Sequence, residues 1–454
     1  MREDTYLIKL CVKSADNRYG LEETYMEKIE LLHIEKNGCT IQYDFRCSEN
    51  LKKYFTGVEF VIEYPEDINE VPDGVLAIPF ATNTLQIMWL ADCELIIPEL
   101  DRDFYESIPN FLKGFRSMFP EATFAGKLTV GSIVECVPEK SGESVSFFSG
   151  GLDATTTLLR HLDKKPHLLS IWGSDVDFDN VDGWKIVESG LRDAAEQYGL
   201  PLAVIRSRFR EFDDVVMLTK DFENILQTSW WYGVKHGIGL IGHAAPYAWL
   251  KGVNMVYIAS TNCIEDGRVR CASDPSIDSN VAFCGSKVFH DAFELSRQNK
   301  TNYLVQYHQE HPDTTLNLHV CWKSDTGANC CSCEKCYRTM VGLWIAGVDP
   351  RDFGFHYDNR VFHHLYQLIA LREEHIFSST WTHMKNDLRE KWEDLSGKPY
   401  RKHLEWMLDF DFFNLEENEC RKKYRATWKY KQKIIDTFPK LYRLYIRLRG
   451  YRFE

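Results

Sequence analysis

A regular alternation of apolar runs and helical patterns between residues 145 and 260 constrains the fold most. Short apolar runs that predict strands cover residues 145–148, 167–172, 202–205 and 255–260. Patterns with helical spacing cover residues 154–161, 184–198 and 236–250. Each crossover helix returns the chain to the end of the sheet at which the preceding strand began. The two strands that the helix joins therefore run parallel. The sequence therefore predicts an α/β fold, a parallel sheet with helices on both faces.

A five-residue loop, Ser149-Gly150-Gly151-Leu152-Asp153, joins the first of these strands to the first helix. Two glycines let backbone N–H groups approach an anion, and the first turn of a helix adds unpaired N–H groups and a positive dipole end. This combination predicts a phosphate-binding loop. The loop lacks the Gly-Lys-Ser/Thr ending of a Walker loop and the three glycines of a dinucleotide site, which disfavours both.

This loop resembles the PP-loop of the N-type ATP pyrophosphatases, whose pattern is Ser-Gly-Gly-X-Asp-Ser. The resemblance implies that the loop holds the pyrophosphate of ATP, with Ser149 and Asp153 as catalytic residues and Asp153 helping to hold Mg²⁺. The ATP-binding residues implied by the resemblance are Ser149, Gly150, Gly151, Leu152, Asp153 and Thr155. The chain departs from the family at Ala154, where a serine is usual, and Thr155 and Thr156 supply the nearest hydroxyls.

Five cysteines crowd into residues 321–336, which indicates metal chemistry. Four of them follow one another with gaps of eight, two and two residues: Cys321, Cys330, Cys333 and Cys336. Four thiolates at such spacing can surround a zinc ion tetrahedrally, and an all-cysteine shell is structural. An iron–sulfur cluster is the second interpretation and a redox dithiol the third. Cys331 does not fit the spacing and is predicted to be a free thiol.

The loop and the four cysteines, in this order, resemble the 7-cyano-7-deazaguanine synthase family over residues 144–347. The resemblance implies a PP-loop fold of the adenine nucleotide alpha hydrolase type, a structural zinc, and ATP with Mg²⁺. In that family the carboxylate of 7-carboxy-7-deazaguanine is adenylated, and ammonia then converts it through an amide to the nitrile. The chain departs from the family where its second strand ends in Trp172-Gly173-Ser174-Asp175 and not in Tyr-Gly-Gln.

Long segments flank the region of resemblance. Residues 1–140 are predicted to form a β-rich domain with strands at 5–12, 58–64, 74–78 and 86–90 and one helix over 104–118, and residues 348–454 a helical region. With residues 141–347 as the PP-loop domain, the chain is divided into three. The additions resemble the longer relatives in bacterial antiphage operons, such as the Qat systems and type IV CBASS. That resemblance implies that the activated carboxylate passes to an amine on a partner protein.

Charge is distributed unevenly along the chain. The net charge is −13, yet residues 421–454 carry 12 Lys or Arg against 2 Asp or Glu. One interpretation is a basic amphipathic helix, with Leu441, Leu444 and Leu448 on one face, that packs on its own acidic chain. The other is a contact with RNA or with an acidic protein.

Further candidates lie between the two motifs. Arg297 and Lys300, three residues apart on a predicted helix, share a face and are predicted to bind ATP phosphates, although a solvated helix edge is an alternative. The substrate candidates are Asp274, His290 and Asp291. Three aromatic residues, 230–232, fit core packing better than stacking on a base.

Composition sets the broad class. Hydrophobic residues make up 44% and charged residues 27%, which suits a large core and excludes disordered and fibrous classes. A signal-peptide pattern and an apolar membrane span are not found in the sequence, so a cytoplasmic protein is predicted. Beside the adenylating enzyme, three functions stay open: a housekeeping synthase that uses ammonia, a tRNA-modifying relative, and a non-catalytic nucleotide-binding scaffold.

Overall fold

A computed structural model describes residues 26–423, except residues 268, 322, 324, 325 and 372–375. Over these residues eleven strands form one sheet. The strands are β1 (Lys28–Asn37), β2 (Thr40–Cys47), β3 (Phe60–Glu63), β4 (Glu94–Asp101), β5 (Lys127–Val134), β6 (Ser144–Phe147), β7 (His167–Trp172), β8 (Leu202–Ser207), β9 (Met255–Ala259), β10 (Ala282–Phe283) and β11 (Ser286–Asp291). Their order in the sheet is β10-β11-β9-β6-β7-β8-β3-β2-β1-β4-β5.

Helices cover both faces of this sheet. They are α1 (Asp73–Leu76), α2 (Ile78–Leu90), α3 (Arg102–Met118), α4 (Leu152–Arg160), α5 (Val181–Tyr198), α6 (Phe209–Phe212), α7 (Val215–Leu226), α8 (Ile238–Ile241), α9 (Ala244–Lys251), α10 (Pro275–Asp278), α11 (Arg297–Glu310), α12 (Glu334–Ile345), α13 (Val361–Leu365), α14 (Ser378–Glu390) and α15 (Arg401–Leu404). Consecutive residues of β7, Leu168 and Leu169, point to opposite faces of the sheet and belong to two separate core clusters. Both faces of the strand are therefore buried, and the predicted α/β fold is confirmed.

The strands around β6 are parallel and have the order β11-β9-β6-β7-β8. A second parallel group, β1-β4-β5, lies at the other end of the sheet. β6 pairs in parallel with β7 on one side and with β9 on the other. The chain moves outward from β6 through β7 to β8, and it then adds β9 and β11 on the opposite side of β6. Such a reversal opens a crevice at the carboxyl ends of β6 and β9, which is where open α/β sheets bind ligands.

The strands before residue 141 continue the same sheet. β3 pairs antiparallel with β8, with Ile62 opposite Ser207 and Glu63 opposite Arg206. The guanidinium of Arg206 lies 3.2 Å from the Glu63 carboxylate across this junction. A single core cluster includes Phe60 of β3 and Ile205 of β8. The division into three domains stays a prediction, because shared pairing does not show how the parts fold alone.

Two strands predicted in the first 140 residues are wrong. Residues 74–78 and 86–90 fall in α1 and α2 or between them, and α2 is buried from Ile78 to Trp89. A helix that is buried all round has no polar face, so its helical periodicity is hidden in the sequence. The predicted strand at 58–64 and the helix at 104–118 correspond to β3 and α3 and are confirmed. The predicted strand at 5–12 lies outside the described residues.

The single helix predicted over residues 236–250 is divided into α8 and α9. Between them Gly242 packs so closely on α2 that a Cβ would lie 2.0 Å from the Thr82 hydroxyl. Next to it His243 is fully buried, and its ring nitrogens contact the Ser207 hydroxyl at 2.9 Å and the Gly239 carbonyl at 2.8 Å. Burial lowers the pKa of His243 to about 3, so this histidine is neutral.

The described part of the C-terminal region is helical, as predicted. α13, α14 and α15 share one core cluster with α12 and with Leu152 and Leu159 of α4. Through this cluster the C-terminal helices pack against α4, the helix that begins at the loop of residues 149–153. The predicted basic helix with Leu441, Leu444 and Leu448 lies outside the described residues. Within the described part of the chain, the helices are too short or too polar to cross a bilayer.

Candidate phosphate site and cysteine cluster

The loop at residues 149–153 lies at the crevice between β6 and β9. Gly150 has a φ of +73°, a left-handed conformation that favours glycine. Its carbonyl accepts a hydrogen bond of 2.8 Å from the N–H of His319. Gly151 is the N-cap of α4 and has no side-chain oxygen to offer to the first N–H groups of the helix. Those N–H groups and the positive dipole end of α4 therefore suit an anionic ligand.

Two buried cations meet the carboxylate of Asp153. Nη1 of Arg297 lies 3.0 Å and Nζ of Lys300 lies 3.2 Å from its two oxygens. The side chains of Arg297 and Lys300 are only 6% and 1% exposed. Both residues belong to the first turn and a half of α11, which packs on α4. The structure thus brings together three residues that the sequence analysis assigned to ATP.

A third cation, Arg338 of α12, lies close to the same group. Its side chain is 7% exposed, and its Nε lies 3.6 Å from the Glu334 carboxylate. The next residue, Thr339, accepts a hydrogen bond of 2.9 Å from Arg297. Burial lowers the pKa of Arg338, and the charge of Arg297 lowers it further. Three cations against two carboxylates leave an excess of positive charge at the crevice, which favours a polyanion such as a phosphate chain.

Electrostatics keep Asp153 ionised. Burial alone raises the pKa of its carboxyl, but the charges of Lys300 and Arg297 outweigh burial and lower the pKa to about 2. Lys300 also donates a hydrogen bond to the carbonyl of Ser260, the residue after β9. Together with its ion pair to Asp153, this contact connects Lys300 to the segments that follow β6 and β9.

The remaining loop residues have different surroundings. Ser149 is exposed and its hydroxyl is directed at the loop itself, where Gly151 N–H approaches it at 3.4 Å. Leu152 and Thr155 are buried, and Thr156 donates its hydroxyl hydrogen bond to the Leu152 carbonyl at 2.9 Å. The hydroxyl of Thr156 is therefore occupied within α4 and does not replace the serine that Ala154 lacks.

The three substrate candidates all have partners inside the protein. Asp274 caps α10 by accepting a hydrogen bond of 2.9 Å from the N–H of Ser276. His290 is buried against Asp278, with Nδ1 2.8 Å from the carboxylate. Asp291 is buried and contacts three residues of α4 and its C-cap: Thr157, Arg160 and His161. These contacts explain the residues structurally, and a role in substrate binding stays a prediction for each.

The aromatic residues 230–232 are divided between the core and polar contacts. Trp230 is 1% exposed and packs on Phe222, with ring centroids 5.7 Å apart, which confirms core packing. Trp231 lies under the guanidinium of Arg210, which is 3.6 Å from the ring centroid. Tyr232 donates a hydrogen bond of 3.2 Å to Asn262.

The four cysteines of the predicted metal site come together. The sulfur atoms of Cys321, Cys330, Cys333 and Cys336 all lie within 4.8 Å of one another. A zinc ion bound at about 2.3 Å by four sulfurs separates them by roughly 3.8 Å, and the Sγ atoms of Cys330 and Cys336 are 3.9 Å apart. The number, chemistry and spacing of the donors fit a metal such as zinc. Cys331 stands outside the group, with its thiol directed at the Asn329 carbonyl.

Asn329 organises the segment that carries these cysteines. Its side-chain oxygen accepts hydrogen bonds from the N–H groups of Val320, at 2.9 Å, and Cys321, at 3.3 Å. Its amide nitrogen donates to the carbonyls of Leu318 and Gly354. One side chain thus fixes the position of the first cysteine relative to the other three.

The cysteine cluster is connected to the phosphate loop through α12. Cys333 is the N-cap of this helix and accepts a hydrogen bond of 3.5 Å from the N–H of Cys336. One turn later, the hydroxyl of Thr339 accepts a hydrogen bond from Arg297, and Arg297 also forms an ion pair with Asp153. At the other end of the cluster, His319 precedes Cys321 by two residues, and its N–H donates a hydrogen bond to the Gly150 carbonyl. A metal bound by the cysteines therefore fixes both the loop and its cations.

Sequence reasoning missed His319 and Thr339. Neither residue belongs to a motif, and each acts through a single contact made by the fold, so the sequence has no signal for them. Arg338 lies two residues after Cys336, the last cysteine of the cluster. Its distance of two residues from the last cysteine is a usable signal, since a metal ligand fixes the helix turn that follows it.

Comparison with protein-family models, with curated proteins and with solved structures found no match for this chain.

We predict that Asp153→Asn lowers the free energy of unfolding at pH 7 by about 3–5 kcal/mol, because it leaves buried cations without their carboxylate. The pKa of Asp153 is about 2 in the folded protein and about 3.9 in an unfolded chain. The stabilisation is thus complete above pH 4 and is lost as the pH falls toward 2. Urea denaturation should show the difference between wild type and variant shrinking from pH 7 to pH 3.

Asp182→Asn is the matched control, because this aspartate of α5 has 94% of its side chain exposed and pairs with Lys185 at the surface, so its pH-dependent difference should be much smaller. A difference between wild type and Asp153→Asn that stays constant with pH, or that is absent at pH 7, would contradict the assignment.

We also predict that Cys333→Ser removes one equivalent of bound zinc and lowers the Tm, since it removes a metal ligand, while the serine hydroxyl can still cap α12. Elemental analysis and calorimetry measure both effects. Cys331→Ser is the matched control and should keep the metal. Equal zinc content in Cys333→Ser and wild type would argue against a metal at this cluster.

Proposed function

We propose that this protein uses ATP to adenylate the carboxylate of 7-carboxy-7-deazaguanine and transfers it to an amine on a partner protein in antiviral defence. The observation that carries the proposal is the phosphate loop at residues 149–153, set at the crevice of the sheet where Arg297 and Lys300 converge on Asp153. The order of the loop and the cysteine cluster, and their resemblance to the deazaguanine synthases, support the choice of substrate.

In the first step a carboxylate oxygen of the substrate attacks the α-phosphorus of ATP. The bond to the β-phosphate breaks, and pyrophosphate leaves with the electron pair. In the second step the amine attacks the acyl carbon, AMP leaves with one former carboxylate oxygen, and the amine nitrogen loses a proton. The products are an amide, AMP and pyrophosphate, so no oxidant or reductant is needed.

The residues of the crevice serve the first step. Negative charge builds on the departing pyrophosphate, and donors fixed in advance at that position lower the barrier. The N–H groups at the start of α4 and the side chains of Arg297 and Lys300 would supply them. Asp153 holds the two cations in place and is ionised at neutral pH. Mg²⁺, when bound with ATP, would screen the phosphate charge beside this carboxylate.

The transfer to a partner protein rests on the size of the chain. β1 to β5 and the C-terminal helices lie outside the group of parallel strands around β6, and they add surface beyond the proposed nucleotide site. A free amine such as ammonia needs no such surface. The added elements are therefore the place where we expect a protein acceptor to bind.

The proposal predicts release of AMP and pyrophosphate from ATP that depends on 7-carboxy-7-deazaguanine. Lys300→Gln should lower this rate by roughly 10²–10³-fold, the usual effect of losing one donor to transition-state charge. Lys185→Gln, which changes an exposed lysine of α5, is the matched control and should leave the rate unchanged. Coupled detection of pyrophosphate, with and without the base, measures both.

Each other outcome identifies an alternative. Nitrile formation with ammonia alone would show the housekeeping synthase. Binding of ATP without release of AMP would contradict the enzyme and leave the scaffold. Release of AMP that depends on tRNA and not on the free base would indicate the tRNA-modifying relative.

A further inference from the structure

A second group of metal-binding side chains lies outside the cysteine cluster. The Sγ of Cys263, a carboxylate oxygen of Asp266 and a ring nitrogen of His383 all lie within 4.8 Å of one another. Cys263 and Asp266 belong to the segment that follows β9, and His383 belongs to α14. The sequence separates the histidine from the other two by more than a hundred residues, so only the fold reveals the group.

The two loop residues are fixed by a reciprocal cap. Asp266 accepts a hydrogen bond of 2.9 Å from the N–H of Cys263 with one carboxylate oxygen, Oδ2. The other oxygen, Oδ1, is buried and has no hydrogen-bond partner among the described residues. The Asp266 side chain is only 7% exposed, so this oxygen cannot rely on bulk water. A buried carboxylate oxygen without a partner is costly, which points to a ligand that the structure does not contain.

His383 faces this oxygen. Its Nδ1 lies 3.8 Å from Oδ1 of Asp266, which is too far for a hydrogen bond. A histidine nitrogen and a carboxylate oxygen that share a tetrahedral zinc ion, at about 2.0–2.2 Å each, are separated by roughly 3.3–3.5 Å. The two atoms are therefore a few tenths of an ångström from the separation that one shared ion requires, and a small side-chain rotation brings them to it.

The position of His383 is set by the core. Two residues earlier Trp381 is fully buried and donates a hydrogen bond of 2.8 Å to Glu334 of α12. This contact holds α14 against α12, and the His383 ring is directed at Asp266. The 21% exposure of His383 leaves a path by which an ion can enter.

The charge around the group favours a cation. Glu265 has 60% of its side chain exposed, and its carboxylate lies 4.0 Å from the other ring nitrogen of His383. Asp387, one turn further along α14, is a further acidic neighbour of the histidine and of Glu265. A thiolate, a carboxylate and an imidazole form a borderline donor set, which suits zinc and not calcium or magnesium.

We propose that Cys263, Asp266 and His383 bind a second Zn²⁺ ion, with Glu265 beside the ring nitrogen of His383 that does not face Asp266. The ion joins α14 to the segment after β9. Ser260, which accepts the hydrogen bond from Lys300, lies three residues before Cys263. In addition to core packing, the ion would thus connect the C-terminal helices to the segment that borders the crevice at the carboxyl ends of β6 and β9. This proposal does not depend on the function proposed above.

The test is the zinc content of untagged protein after zinc loading and gel filtration. Wild type should hold two equivalents, His383→Ala one and Asp266→Asn one. His364→Ala is the matched control, because this exposed histidine of α13 has no place in the group, and it should hold two. Circular dichroism checks that the variants are folded.

A content of one equivalent in wild type, or of two in folded His383→Ala, would overturn the proposal. If a variant fails to fold, anomalous scattering at the zinc edge from wild-type crystals decides the question. A peak between Cys263, Asp266 and His383 supports the site, and a peak only at the four cysteines contradicts it.

Discussion

The ion pairs of Asp153 with Arg297 and Lys300 are the interaction on which the site depends. They join the start of α4 to the start of α11, directly beside the strand order reversal that creates the crevice. Two buried cations share one carboxylate, and Arg338 adds a third positive charge nearby. The protein thus keeps an incompletely neutralised cluster at the mouth of its sheet. Such a cluster is unfavourable unless an anion completes it, which is the physical reason to expect a phosphate ligand.

A metal bound by the four cysteines would stabilise this arrangement through α12. The four cysteines begin α12, and α12 carries the residues that hold Arg297 and Arg338 in place. On the opposite side of the cluster His319 fixes the left-handed turn at Gly150. Metal binding couples to folding because the ligands must be gathered to bind. A metal bound by the four cysteines would therefore help to fix the geometry of the loop at residues 149–153 without touching a ligand of that loop.

Much of the fold near the site could be predicted, because its strands and helices are marked by patterns of residues that are close together in the sequence. The strand at residues 167–172 coincides with β7, since a short apolar run between turns has few other solutions. Arg297 and Lys300 could be paired from their spacing, and the four cysteines from theirs. The α2 helix could not be predicted, because its buried sides hide its periodicity. His319, Thr339 and His383 act across the fold, where their partners are distant in the sequence, so no local pattern marks them.

Oxygen labelling tests whether the substrate carboxylate is activated by transfer of the AMP group. The protein would be supplied with ATP, an amine acceptor and 7-carboxy-7-deazaguanine labelled with ¹⁸O in its carboxylate. Mass spectrometry of the released AMP should show one ¹⁸O in its phosphate, because the leaving AMP keeps the oxygen that attacked. AMP without label, released at the same rate, would show that water attacks the nucleotide and would contradict adenylation of the carboxylate.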